Sequence, residues 1–142
     1  METLLGGQCN PSQLSPLTLA FIGDTVYDIL VREMLICQAN RPVRKLHEIA
    51  VSNVRASAQA DAYGKILPLL SQEEETILKR GRNAHVSHIP KNGNQRDYHF
   101  ATAVETLFGY LYLSQRIERL RELFSVIVNA GDSDEKEEKP VG

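Results

Sequence analysis

Leu17-Thr18-Leu19-Ala20-Phe21-Ile22-Gly23-Asp24-Thr25-Val26-Tyr27-Asp28 reads as part of one long helix, apolar almost throughout, with a carboxylate set directly after a glycine. A second stretch repeats the device: Glu105-Thr106-Leu107-Phe108-Gly109 puts an acid one helical turn before a glycine in another apolar helix. An acid on such a helix is expensive to bury, so it changes its protonation, finds a partner or binds a cation. In both helices a small residue lies beside the acid, where two backbones can approach closely. If the helices cross there, Asp24 and Glu105 enter one site, and a metal ion between them explains both. At even weight stands the plainer reading, in which Asp24 is a buried acid paired with an arginine.

Working outward, Ser15-Pro16 is an N-cap followed by proline at the first helical position, opening a helix over 17–37 whose only breaker is Gly23 and which is expected to be buried on most faces. Asn40-Arg41-Pro42 makes a turn. Leu46, Ile49, Ala50, Val54, Ala58, Ala60 and Ala62 then recur at helical spacing, predicting a second long helix to about Tyr63. Ser71 with Glu74 forms a capping box for a charged helix over 72–83, acidic at its start and basic at its end, as the helix dipole favours. A polar, turn-rich loop is expected over 81–97. Asp97 can cap the next helix, whose apolar face carries Phe100, Ala101, Val104, Leu107, Phe108, Leu111 and Tyr112. Ile117, Leu120, Leu123, Phe124 and Ile127 mark a last amphipathic helix over 116–130. Little alternates with the strand period, so the fold class is all-α.

The chain's 142 residues, 42% of them hydrophobic, fit one globular domain, assigned to 1–131. No window approaches the roughly 18 consecutive apolar residues of a membrane helix, and Met1-Glu2-Thr3-Leu4 lacks the basic segment of a signal peptide, so a cytoplasmic protein is expected. Cys9 and Cys37 have no CxxC spacing, which argues against a disulfide framework or zinc site; Cys37 is expected in the core. The net charge of −2 conceals two regions. Residues 132–142 hold five acids and two lysines and are expected to be a disordered acidic tail, leaving +1 on the rest.

Within that remainder Lys79, Arg80, Arg82, Lys91 and Arg96 follow one another with no intervening acid. A basic stretch is usually a solvated face. Here it is interleaved with Asn83, Ser87, Asn92, Asn94 and Gln95, giving charge for phosphates and amides or hydroxyls for sugar and base edges, which makes nucleic acid the leading partner. Arg41, Arg44, Lys45 and Arg55 offer a second basic patch. His85 and His88 lack the companions of a zinc site; contact with phosphate or base is their functional reading and plain exposure their ordinary one. Asp28 is preferred as an ion-pair partner of Arg32 one turn on, rather than as a ligand.

The run from Leu17 to Asp28 resembles the signature helix of ribonuclease III, usually E-R-L-E-F-L-G-D-A-V-x-E, and Ala101-Thr102-Ala103-Val104-Glu105-Thr106-Leu107-Phe108-Gly109-Tyr110-Leu111 is similar to that family's A-D-x-x-E-A-L-I-G helix. With Leu78-Lys79-Arg80-Gly81-Arg82-Asn83-Ala84 and Pro90-Lys91-Asn92 between them, residues 12–130 look like a mini-ribonuclease III, the branch with a catalytic domain and no double-stranded-RNA-binding domain. The departures are specific: the family's first two signature acids align with Leu17 and Ala20, and the aspartate before the final glutamate with Thr102. Of four usual carboxylates only Asp24 and Glu105 remain, so Mg²⁺ has to complete its octahedral shell with water and RNA phosphate.

The resemblance implies a helical ribonuclease III-like bundle and a homodimer with one site per subunit, its interface drawing on Phe21 and Tyr27. It implies a Mg²⁺-dependent endoribonuclease, with Mn²⁺ as an alternative ion, that hydrolyses double-stranded RNA in the maturation of a ribosomal (23S) precursor. Asp24 and Glu105 are the expected catalytic metal ligands. Lys79, Arg80, Arg82, Asn83, His85, Lys91, Asn92 and Arg96 are the expected RNA contacts. Two rivals remain open at this level. One is an inactive RNA-binding or ribosome-assembly factor of the same fold; the other is a helical protein-interaction module whose loop binds an acidic partner.

Overall fold

The computed structural model describes residues 3–85 and 93–138, with side chains described through Asn129. Six helices follow in order: α1 (Pro16–Gln38), α2 (Val43–Val54), α3 (Ala56–Ile66), α4 (Gln72–Arg82), α5 (Gln95–Leu113) and α6 (Ile117–Glu138). Short 3₁₀ turns occupy Pro11–Gln13 and Leu67–Leu69, and no strand occurs among the described residues. The all-α expectation holds.

The axis of the molecule is α5, buried on nearly all sides from Ala101 to Leu111 because α1, α3, α4 and α6 all pack on it. Each fully buried Leu, Val or Phe contributes about 1.5–3 kcal/mol relative to exposure, and Val104, Leu107, Phe108 and Leu111 are all sealed from water. Two glycines set how closely α1 and α5 approach. A Cβ at Gly23 would collide with the Glu105 carbonyl and lie 2.9 Å from the Gly109 backbone nitrogen; one at Gly109 would collide with the Leu19 carbonyl and lie 3.1 Å from the Gly23 nitrogen. The helices therefore touch backbone to backbone at the crossing that the two glycines suggest. Thr106 Oγ1 closes the same contact at 3.1 Å from the Pro16 carbonyl.

Local signals explain several boundaries. Ser15 caps α1 by accepting from Thr18 N–H at 3.3 Å, with Pro16 at the first position. The Ser71/Glu74 capping box is complete, at 3.2 Å and 2.9 Å. In α5 the cap is Asn94, not the expected Asp97: the Asn94 side chain accepts from Arg96 N–H at 2.9 Å and Asp97 N–H at 3.3 Å, so the helix starts earlier. Its last counterpart, α6, continues to Glu138, past the expected end near residue 130; glutamate and lysine are good helix formers.

Four further expectations are corrected. The second long helix is two helices, broken at Arg55, whose backbone is extended (φ −64°, ψ 159°). Ser52 Oγ and Asn53 Nδ2 both bond the Ile49 carbonyl at 2.8 Å, local side-chain bonds of the kind that weaken a helix end, and the break lets α3 lie along α5 while α2 packs on α1. Helix α1 is not buried on most faces: Leu17, Phe21, Ile29 and Ile36 are exposed, Phe21 by 84%. Cys37 is exposed, because it falls on the outward side near the end of α1 while Leu35 turns inward. Tyr27 is not a surface residue; it is 2% exposed and packs its ring on Phe108 and Phe124 at centroid distances of 5.2 and 5.9 Å.

Candidate active site

The glycine crossing delivers the two acids to one place. Asp24 follows Gly23 on α1, Glu105 lies one turn before Gly109 on α5, and the two side chains are near enough for the Asp24 charge to act on Glu105. Burial, first, and then the neighbouring Asp24 push the Glu105 carboxyl up to about 8. Tyr27, one turn after Asp24, has its hydroxyl pushed upward by burial and by Glu105.

The plainer reading of Asp24 as an arginine's partner finds no support: among the described residues neither acid forms a salt bridge. Asp28 instead takes its expected pairing with Arg32 at 3.0 Å. No third histidine, cysteine or acid joins Asp24 and Glu105 among the described residues. Ala20 is buried, Leu17 partly exposed, and Thr102 Oγ1 donates to the Tyr98 carbonyl at 2.8 Å, so these positions supply no acidic ligand.

One residue of the site has no counterpart in the sequence reading. Gln59 on α3 is 2% exposed; its Nε2 donates to the Val54 carbonyl at 2.8 Å and to Glu105 Oε2 at 3.3 Å, while its Oε1 is buried without a partner among the described residues. A lone glutamine in a run of alanines carries no signal of its own; only the break at Arg55 brings it here. The donor set suits a divalent cation: two oxygen ligands that repel each other when ionised, beside an unsatisfied amide oxygen.

The expected RNA contacts are divided. Arg82, Asn83 and Arg96 meet around one concavity, together with His99 and Phe100, which sequence reasoning did not name. Arg82 donates to the Tyr63 hydroxyl at 3.2 Å, Tyr63 stacks on Phe100 at 4.4 Å, and the Arg96 guanidinium lies 5.2 Å from the Phe100 ring centre. His99 Nδ1 is 3.1 Å from the Arg82 carbonyl. Arg80 and His85 are exposed. Lys79 is paired with Glu75 at 2.9 Å. Lys91, Asn92 and His88 lie outside the described residues. In the second basic patch Arg41 is occupied in capping α1, donating to the Leu35 carbonyl at 3.0 Å.

A helical bundle crossed at two glycines, with an acid at each, is what the family resemblance implies, and residues 17–116 match the Ribonuclease III domain, a nuclease domain: the chain belongs to the ribonuclease III family. It is 45% identical over 115 residues to a Mini-ribonuclease 3 of Thermoanaerobacter sp. (strain X514), covering 81% of each chain. Against a Mini-ribonuclease 3 of Enterococcus faecalis it is 40% identical over 127 residues, covering 87% of this chain and 96% of that one. A crystallised protein of Fusobacterium nucleatum shares the fold at a TM-score of 0.77 and 27% identity, over 84% of this chain and 95% of that one. The chain is thus an endoribonuclease of the mini-ribonuclease III branch. No helix among the described residues is long and apolar enough to cross a membrane.

Proposed function

We propose that this endoribonuclease cuts double-stranded RNA in a Mg²⁺-dependent reaction, with Mn²⁺ able to substitute, and that Asp24 and Glu105 are its catalytic metal ligands. The observation that carries the reading is the convergence of these two acids with no salt bridge to either among the described residues. A bound divalent ion supplies positive charge where negative charge develops on the phosphate, and makes water acidic enough to serve as nucleophile. The chain's part is to hold two oxygens in place. Glu105 gives up its proton when the ion binds, and the backbone contact at Gly23 and Gly109 keeps the two helices from moving apart.

Arg82, Asn83, His85 and Arg96, with Lys79, Arg80, Lys91 and Asn92, form the proposed surface for RNA phosphates and 2′-hydroxyls. The α5 segment bearing Arg96, His99 and Phe100 precedes Glu105 by roughly 8–14 Å along the helix axis, close enough for one duplex to engage both. A-form RNA is read largely by shape, which suits a surface of arginines and amides.

Cutting both strands takes two sites. The exposed apolar face of α1, with Leu17, Phe21 and Ile29, is the proposed homodimer interface, Tyr27 lying behind it in the core rather than in it. A ribosomal (23S) precursor in the cytoplasm is the proposed substrate and setting.

Gel-resolved cleavage of a long duplex RNA tests this reading, comparing wild type, Asp24→Asn, and wild type in EDTA. Cutting by the wild type with Mg²⁺ alone supports it. Binding without cutting in all three samples supports the rival, an RNA-binding factor of the same fold, which the absence of a third acidic ligand among the described residues favours.

A further inference from the structure

Gln59 is more completely buried than either acid of the site, and its amide is more constrained than a structural role requires. Helix α2 ends at Val54, and the carbonyls of a last helical turn lack intrahelical partners. One N–H of Gln59 answers that need at Val54. A cap uses only one donor, and a glutamine amide has two. The second reaches Glu105 Oε2, forty-six residues away on α5.

The orientation of the amide follows from its neighbours. Turning it over would set its oxygen 2.8 Å from the Val54 carbonyl, two acceptors with no donor between them. Nε2 is therefore held toward Glu105. Oε1 is left as a buried acceptor with no partner among the described residues, a condition that folded proteins rarely leave without water or an ion nearby.

We propose that Gln59 is a positioning residue for the metal site: anchored on the Val54 carbonyl, it holds Glu105 Oε2 by one N–H so that the other carboxylate oxygen faces Asp24, and offers Oε1 to water at the edge of the bound ion. This rests on the metal-site reading above and deepens it. The effect is specific to the ionised acid, because a hydrogen bond to a carboxylate is stronger than one to a neutral group. The break between α2 and α3 gains a purpose in this scheme, since Gln59 reaches α5 only because α3 starts afresh after Arg55.

The test uses the full chain, labelled with ¹⁵N, and MgCl₂ alone as the probe. Titrating Mg²⁺ while following the Gln59 side-chain amide signals by NMR should move them with the same half-point as metal binding measured by calorimetry, and the movement should disappear in Asp24→Asn. In Gln59→Met, metal affinity should fall about tenfold and the Mg²⁺ needed for half-maximal cleavage should rise equally, while KM for duplex RNA at saturating Mg²⁺ stays put. A purely structural Gln59 would lower thermal stability and leave the Mg²⁺ dependence unchanged. The inference is overturned if metal binds the wild type and the Gln59 amide signals do not move, or if folded Gln59→Met binds Mg²⁺ as tightly as wild type. Should Gln59→Met fail to fold, the wild-type amide signals decide alone. Failure of the wild type to bind any metal is a different result: it removes the two-carboxylate site itself, and this inference with it.

Discussion

Two pairs of acids, each with one exposed member (Glu73, Asp24) and one buried or half-buried glutamate (Glu74, Glu105), are treated in opposite ways. At the α4–α6 contact, Glu74 is 4% exposed and receives two bonds from Arg119, both 2.8 Å, besides its capping bond to Ser71. Beside it Glu73 takes Arg116 at 3.2 Å and the Tyr110 hydroxyl at 2.6 Å. Hydrogen bonds from Arg119 hold the Glu74 carboxyl below its ordinary range, and those from Tyr110 and Arg116 do the same for Glu73. At the α1–α5 crossing, neither Asp24 nor Glu105 forms a salt bridge among the described residues, Gln59 bonds Glu105, and Glu105 is pushed up. Acids that serve the fold come with their counter-charge built into the chain. In the proposed reading, acids that serve chemistry leave it to be supplied from outside.

The sharpest way to break this contrast is to remove one charge from each pair. Glu105→Gln, and equally Asp24→Asn, should lower the cleavage rate of duplex RNA by at least about 10²-fold, the usual loss when a group stabilising transition-state charge is removed. The folded state should survive, because the substitution relieves a repulsion; circular dichroism and thermal melting check this. Arg119→Met should do the reverse. It leaves Glu74 buried without its partner, and stability should fall by about 3 kcal/mol in urea unfolding, while cleavage by the fraction still folded is unchanged. If Arg119→Met abolished activity per folded molecule, or Glu105→Gln unfolded the protein, the division between the two pairs would be gone.

The same division has a pH signature. Glu74 has a lowered pKa, so its contribution to stability is present above the unfolded value and lost as pH falls through the folded one. Glu105 has a raised pKa, so the metal-free folded chain holds a proton that the unfolded chain releases, and stability declines as pH climbs from about 4.5 toward about 8. Melting in EDTA should therefore show both limbs. Glu105→Gln should flatten the alkaline one alone, and Arg119→Met should reduce the acid one. Metal binding requires the ionised Glu105, so Mg²⁺ affinity should rise with pH up to about 8 and binding below that pH should release a proton. Calorimetry in buffers of different ionisation enthalpy counts it.

These pairs also differ in how far sequence reveals them. Asp24 and Glu105 are legible because each interrupts an apolar helix beside a glycine, and the same glycines predict the crossing that joins them. Glu74 is not. Its spacing from Ser71 announces the capping box, but it sits in a run of three glutamates that reads as a solvated helix face, and nothing local says that Arg119, forty-five residues on, will cover it. Gln59 is hidden for the same reason, as its meaning depends on a backbone break at Arg55 that neither proline nor glycine marks. Periodicity places helices and their faces; it does not say which polar side chains meet across the bundle. Periodicity alone reads α1 as buried, because a helix apolar all round reads so whether the cover comes from its own chain or from a second copy; only the family resemblance puts Phe21 at an interface.

The smallest effect belongs to the RNA-contacting surface, where single charges add little each. Arg96 lies over Phe100, which fixes the guanidinium at the rim of the concavity shared with Arg82 and His99. Arg96→Ala removes one phosphate neutralisation, so the slope of log affinity against log salt should become shallower by about 1, with a severalfold weaker affinity at moderate salt. Filter binding to duplex RNA across a salt series, in Ca²⁺ or EDTA to prevent cutting, measures it. The comparison is sharpened because kcat at saturating RNA should be unchanged: in the proposed reading Arg96 acts before the chemical step, Glu105 within it. A change in kcat without a change in salt slope would instead tie Arg96 to Glu105, about two and a half turns further along α5, and the surface and the site would have to be treated as one.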